Sequence, residues 1–152
     1  MIGAARRFLR ARRGAAAVEF ALVSPMLLML LFGVFEYGRY LWTVNALQQT
    51  VTQTARCMGL LNPYSASAYG CATGTAFDAS KTRNYGEVLA GAYGITLADS
   101  NITLNAAAAC GGLADFSQVQ IIYVFNTYLP QIVPSMSAGY TINETACFPN
   151  QS

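Results

Sequence analysis

The sequence contains no histidine, and charge is scarce, with nine basic and seven acidic residues in 152. That is 11% of the chain, whereas soluble globular domains average roughly 25%, and 54% of the residues are hydrophobic. An ordinary cytoplasmic enzyme fits this composition poorly. Without histidine the commonest general base is missing, as are the Ser-His and Cys-His nucleophile pairs. The acids beyond the first apolar run, Asp78, Glu87, Asp99, Asp115 and Glu144, are scattered in sequence. No glycine-rich phosphate loop accompanies them, so no enzymatic activity and no cofactor are expected. Metal binding is disfavoured for the same reason, since neither a histidine nor a close cysteine pair of the zinc type is present. Disorder is excluded by the abundance of aliphatic and aromatic side chains, which offset the entropy of ordering. The length suits one domain and leaves little for a second.

The charges that do occur are unevenly placed. Arg6, Arg7, Arg10, Arg12 and Arg13 precede the first acid, Glu19, and from Ala15 onward four basic residues face seven acidic ones, a net of −3. The formal charge of +2 is therefore a property of a short N-terminal tag. A basic arm set directly against an apolar run reads as a membrane-topology signal, and nucleic acid is not expected as a partner.

Ala15 to Phe35 contains Glu19 as its only charge. As a helix, these residues span about 31 Å, close to the hydrocarbon thickness of a bilayer. The arginines should stay cytoplasmic, with the rest of the chain outside the inner membrane. Tyr37, Tyr40 and Trp42 supply rings of the kind found at a membrane interface, and Glu36 and Arg39 are spaced to pair on a helix. Neither a secretory signal nor a twin-arginine signal fits well, because Phe35 to Tyr40 offers no A-x-A-like cleavage site. A plain anchor remains an alternative, but it gives no reason for Glu19. An unpaired carboxylate in the apolar run costs about 2.5–3.5 kcal/mol on insertion scales. Snorkelling to the near interface is one remedy. Cleavage after Gly14 is the other: Ala15 would then carry a free ammonium, and Glu19 would be the fifth mature residue. Paired with the ammonium of a neighbouring, staggered helix, Glu19 would favour a defined axial register.

Arg13-Gly14-Ala15-Ala16-Ala17-Val18-Glu19-Phe20, the apolar run, and then Phe35-Glu36-Tyr37-Gly38-Arg39-Tyr40-Leu41-Trp42 closely resemble the TadE-like proteins. These are minor pilins, or pseudopilins, of the tight-adherence (Tad/Flp) type IV pilus systems. The resemblance implies cleavage by a prepilin peptidase between Gly14 and Ala15, with Glu19 and Phe20 as assembly residues at the fifth and sixth mature positions. It also implies a non-enzymatic role in pilus assembly and surface adhesion. The implied partners are the inner membrane, the prepilin peptidase, the major Flp pilin, other TadE-like subunits and the assembly machinery with its ATPase. The implied location is the inner membrane with the C-terminal part periplasmic, or extracellular once in a pilus. The major pilin shares the cleavage pattern but is little more than a helix, so the long C-terminal part here favours the TadE side. The alternative is an uncleaved single-pass anchor whose exported domain is a binding module.

The expected organisation is a leader over 1–14, a membrane helix over 15–36, its outward extension over 37–60 and an exported domain over 61–152. Val44, Leu47, Val51, Ala55 and Met58 recur on one helical face, which should pack against the same chain, with a partner helix as the lesser alternative. Pro25 is tolerated in a membrane helix, and Ala17 and Ala21 form a small-xxx-small pair. Gly59 and Asn62-Pro63 end the helical pattern. The sequence then reads as loop to about Thr82, a short helix over Asn84 to Tyr93 ended by Gly94, and strands over Asn101 to Ala107, Gln118 to Asn126 and Tyr140 to Phe148. The expected fold is α+β: a long N-terminal transmembrane helix extending into a small antiparallel β-sheet domain stapled by disulfides. The four cysteines, Cys57, Cys71, Cys110 and Cys147, lie beyond the anchor, and an even number outside the membrane favours two disulfides. Three connectivities are possible. Cys57 with Cys71 is preferred as a loop off the helix end, and Cys110 with Cys147 as a tie between the first and third strands. The apolar segment Tyr128 to Met136 reads as core packing or as a binding surface. Asn101-Ile102-Thr103 and Asn143-Glu144-Thr145 match the glycosylation triplet, which often arises by chance.

Overall fold

The computed structural model describes residues 12–60, 70–73, 76–127 and 139–151. Arg6, Arg7 and Arg10 of the basic tag, the Asn62-Pro63 stop and the segment Tyr128 to Met136 lie outside the described residues. Helix α1 (Arg12–Gly59) runs through Pro25 without interruption, so the apolar run and its amphipathic continuation form one helix. Contacts divide the chain into two compact units, the first ending at Arg39 and the second beginning at Tyr40.

In the first unit the large apolar side chains from Val18 to Phe35 are between 48% and 78% exposed. An uninterrupted helix with this much uncovered apolar surface is long and apolar enough to cross a membrane, and it fits a membrane-anchored protein.

The second unit folds around the expected stripe. Leu47, Val51, Ala55 and Met58 are buried, and Val44 packs at the edge of the same core. Thr43, Thr50 and Thr54 are buried beside them, although composition alone would assign threonine to the solvent side. Their methyl groups pack like valine, and the Thr50 hydroxyl donates to the carbonyl of Ala46 at 2.8 Å. The Thr54 hydroxyl, fully buried, has no hydrogen-bond partner among the described residues. Thr54→Val keeps the shape and removes that unpaired group, so it should raise stability by about 1 kcal/mol, read as a higher midpoint in thermal or urea unfolding.

The span to Thr82, expected as loop, contains more structure than that. Strands β1 (Ala72–Thr73) and β2 (Ala76–Phe77) form a short antiparallel ribbon. Helix α2 covers Ala79–Ala92 and so starts five residues before the expected Asn84. Asp78 supplies the reason: its Oδ1 accepts from the amides of Ser80 at 3.0 Å and Lys81 at 3.1 Å, which caps two otherwise unpaired N–H groups. The far end closes as expected at Gly94, whose φ of +78° lets the Ile95 amide reach back to the carbonyl of Ala90 at 3.0 Å and buries Ile95. In the middle of α2, a Cβ at Gly86 would stand 3.2 Å from Ile102 Cδ1 and 3.3 Å from Thr54 Oγ1, so glycine permits the close approach to α1.

A 3-10 turn (Asp99–Asn101) leads into the sheet. Strands β3 (Ile102–Cys110), β4 (Leu113–Phe125) and β5 (Tyr140–Pro149) form an antiparallel meander in the order β3-β4-β5. The expected strands are right in kind, but the first two are too short, because they omit the hairpin between them. Cys110 pairs with Leu113 across Gly111 and Gly112, which have φ of +61° and +83°. Two successive residues with positive φ are what a two-residue type I′ hairpin turn requires. Ile102, Val119, Ile121, Phe125 and Ile142 project from one face of the sheet into the core shared with α1. The fold is α+β as expected. The stripe on α1 is consumed inside the chain, which removes the partner-helix alternative for it.

Two close approaches lock the C-terminal end of this unit. At the last residue of α1, a Cβ on Gly59 would fall 2.7 Å from Phe148 Cδ1 and 3.2 Å from the carbonyl oxygen of Pro149. Asn150 donates from Nδ2 to the carbonyl of Ala106 at 2.9 Å and to Asp115 Oδ1 at 3.0 Å, and accepts from Ser117 Oγ at 2.6 Å. These bonds tie the chain end to the β3–β4 hairpin. Gly59→Ala should therefore lose about 1–2 kcal/mol, an overpacking penalty that exceeds the gain in helix propensity. Urea unfolding at constant m-value would measure it.

Candidate functional site

The residues expected to define processing and assembly all lie on α1. Gly14, Ala15, Glu19 and Phe20 lie among its first nine residues from Arg12, and all four are exposed. Phe20 is 70% exposed. The helix continues across the Gly14–Ala15 bond. Ala15 and Glu19, four residues apart on it, share one helical face. Within one chain, the structure thus leaves Glu19 and Phe20 facing outward, available to a lipid or a neighbouring helix.

At the other end of the apolar run, Glu36 and Arg39 form the expected pair. Arg39 Nη2 donates to Glu36 Oε1 at 2.7 Å and Arg39 Nε donates to Oε2 at 3.2 Å. This two-pronged geometry neutralises both charges where the apolar run ends. Of the three rings expected at a membrane interface, Tyr37 and Trp42 are exposed. Tyr40 is not: it packs edge-on against Phe125 at 5.6 Å and Tyr140 at 5.4 Å. Tyr40 is the first residue of the second unit and lies on the helical face that continues into its core, so it packs there and not at a membrane interface.

The cysteines pair in the preferred connectivity, Cys57 with Cys71 and Cys110 with Cys147, with Cα separations of 6.0 and 6.5 Å. The first pair is buried. In the second, Cys110 is half-buried and Cys147 exposed. Thr82, fully buried, braces the first disulfide against α2, with its hydroxyl 2.8 Å from the carbonyl oxygen of Asp78 and 3.1 Å from that of Cys71.

The acids scattered in sequence take separate structural roles. Asp78 caps α2, Asp115 accepts from Asn150, and Glu144 sits opposite Ile121 in the sheet. Only Glu87 and Asp99 come together. Desolvation raises the Glu87 carboxyl above its ordinary range, and the neighbouring Asp99 charge and hydrogen bond add to that. Among the described residues, no group of three or more metal-ligating side chains occurs. Of the two glycosylation triplets, Asn101 is engaged at both ends of its amide, accepting from the Ala98 amide and donating to the carbonyl of Ile122, both at 2.9 Å. Asn143 is exposed and accepts from Gln120 Nε2 at 2.9 Å.

Among the described residues, the processing and assembly residues expected from the sequence all lie on α1. Residues 14–56 match the family described as TadE-like protein. Over that segment the chain is similar to the TadE-like proteins. The matched segment begins at Gly14 and takes in Glu19, the apolar run, the Glu36–Arg39 pair and most of the core stripe. The sheet and all four cysteines of the two disulfides fall outside it. No curated protein and no solved structure matches the chain. The TadE-like segment associates the protein with Tad pilus systems and with the membrane.

Proposed function

We propose that the chain is a minor pilin, cut by a prepilin peptidase between Gly14 and Ala15 and drawn through α1 into a Tad/Flp pilus or the complex that primes one. The observation that carries this reading is the TadE-like match beginning at Gly14, on a helix whose apolar surface is left uncovered from Val18 to Phe35. The role is non-enzymatic. Its partners are the peptidase, the major Flp pilin, other TadE-like subunits and the assembly machinery, and the outcome is surface adhesion. The five arginines hold the N-terminus in the cytoplasm. The second unit then lies outside the inner membrane, an assignment in keeping with its two disulfides.

The mature N-terminus tests the reading. Intact mass and N-terminal sequencing of protein from cells with an active prepilin peptidase should give a chain that begins at Ala15. A chain retaining Met1 in those cells would sink the proposal and favour the uncleaved anchor carrying a binding module.

A further inference from the structure

The second unit has one end without charge. The runs 40–55, 88–98 and 116–143 contain no charged residue, and they meet where the chain enters the unit. There Tyr40 packs edge-on against Phe125, the last residue of β4, and Tyr140, the first of β5. Tyr93, which closes α2, lines one hollow with Trp42, Asn45, Ala46 and Gln49. Across the middle of the unit, Ile121 pairs with Ile102 on one side and Glu144 on the other, and Gly86 of α2 lies against Ile102 and Thr54. Of the eight charged residues from Tyr40 onward, Glu87, Asp99 and Glu144 stand at or beside this row, and Arg56, Asp78, Lys81, Arg83 and Asp115 lie beyond it. At the charge-free end Leu41, Trp42, Val124 and Tyr140 are nevertheless open, with exposures of 42%, 61%, 46% and 50%.

Helix α1 points to what covers this end. Leu41 and Trp42 follow Phe35, the end of the bilayer-length run, by about 9–10 Å on the same uninterrupted helix. A headgroup layer is about 5–8 Å deep. Helical side chains lean toward the N-terminus of their helix, so those of Leu41 and Trp42 reach back toward that layer. Tyr140 belongs to the same end, since its ring lies 5.4 Å from that of Tyr40. Between Phe35 and Tyr40 the only charges, Glu36 and Arg39, neutralise each other. Tryptophan and tyrosine favour a bilayer interface because each has an apolar body and a polar edge, and a charge-free surface loses no ion hydration on entering it. We propose that this end of the second unit rests on the neutral lipid interface of the bilayer that α1 crosses, with Leu41, Trp42 and Tyr140 at headgroup level. The membrane contact then includes part of the sheet, far from the apolar run in sequence. This rests on the membrane reading of α1 and is independent of cleavage after Gly14.

Position 140 decides the matter, because it meets lipid only if the end of the sheet does, whereas Trp42 lies on the anchoring helix itself. Trp42 is the only tryptophan in the chain. Trp42→Phe with Tyr140→Trp therefore places a single reporter at this end, and Trp42→Phe with Leu113→Trp places one at the opposite end, where Leu113 is also exposed. The full chain would be reconstituted in phosphatidylcholine vesicles with and without lipid brominated near the headgroup end of its acyl chain. Bromination should quench the reporter at 140 and leave the one at 113 unchanged. Because no charge takes part, the quenching should persist in about 1 M salt. On the unsubstituted chain, a lipid with a photoactivated carbene precursor in its headgroup should label peptides containing Tyr140 and spare those containing Leu113, a result that does not depend on how the variants fold. Equal responses at 140 and 113 in protein that floats with the vesicles would overturn the proposal and leave α1 as the sole membrane contact. Loss of the quenching in salt would overturn the neutral character of the contact. Shielding of position 140 that grows with the protein-to-lipid ratio, without quenching by lipid, would give this end to a second copy of the chain. Failure to float with the vesicles would instead overturn the membrane reading of α1.

Discussion

Replacing Cys110 and Cys147 together with alanine should lower the stability of the second unit by about 4 kcal/mol, against about 3 kcal/mol for Cys57 and Cys71. The order follows from the chain each bond closes, 37 residues in the first case and 14 in the second. A cross-link acts mainly by restricting the unfolded ensemble, and the longer loop has more freedom to lose. Small domains retain only about 5–15 kcal/mol in total, so the loss of Cys110–Cys147 removes a large share. The same bond is the more accessible one, with Cys147 exposed while Cys57 and Cys71 are buried. Mild reductant should therefore open Cys110–Cys147 first, since thiolate attack needs access to a sulfur. Alkylation and peptide mapping across a reductant series would show the order, and urea unfolding of the two double variants would show the energies. The m-values should rise in both variants, because the unfolded chain expands when a cross-link is removed. A smaller loss for the Cys110–Cys147 pair than for Cys57–Cys71 would show that strain in the folded sheet, and not loop length, governs these bonds.

What was readable in the sequence divides along physical lines. The membrane-length run, the Glu36–Arg39 pair, the stripe from Val44 to Met58 and the β-meander rest on periodicity and charge, which a linear sequence displays directly. Helix α2 begins earlier than apolar spacing suggests because Asp78 is a strong N-cap, a signal carried by one polar side chain and not by periodicity. The hairpin was missed because Ala106 to Ala109 carry no alternation, although Gly111-Gly112 is a turn signal in plain view. Hydropathy does not announce that Thr43, Thr50 and Thr54 are buried, because it prices the hydroxyl and ignores the methyl. The Asn150 network and the Glu87–Asp99 contact join residues far apart in sequence, and no local pattern announces either. The candidate site on α1 was legible for the opposite reason. A carboxylate inside an apolar run, one turn past a glycine, contradicts its surroundings, and such contradictions mark function more often than packing does.

Glu19→Ala should leave the protein in the membrane and remove it from the pilus. Alanine eliminates a charge whose insertion costs about 2.5–3.5 kcal/mol, so anchoring becomes easier, and the membrane-bound amount should hold or rise. Assembly has the opposite dependence. If Glu19 of one subunit pairs with the Ala15 ammonium of its neighbour in a low-dielectric setting, removing the carboxylate leaves that ammonium buried and unpaired. Breaking one side of such a pair costs about 3–5 kcal/mol, which corresponds to a loss of more than a hundredfold in incorporation. Glu19→Gln keeps the length and an oxygen acceptor but not the charge, so it should fall nearly as far if the ion pair governs register. Immunoblots of sheared pili and of membranes from the same cells, with the mature mass confirming that cleavage is intact, separate the possibilities. Equal amounts of wild-type and Glu19→Ala protein in the sheared fraction would mean that the carboxylate merely snorkels to the interface. In that case α1 would be an anchor, and any function would reside in the second unit alone.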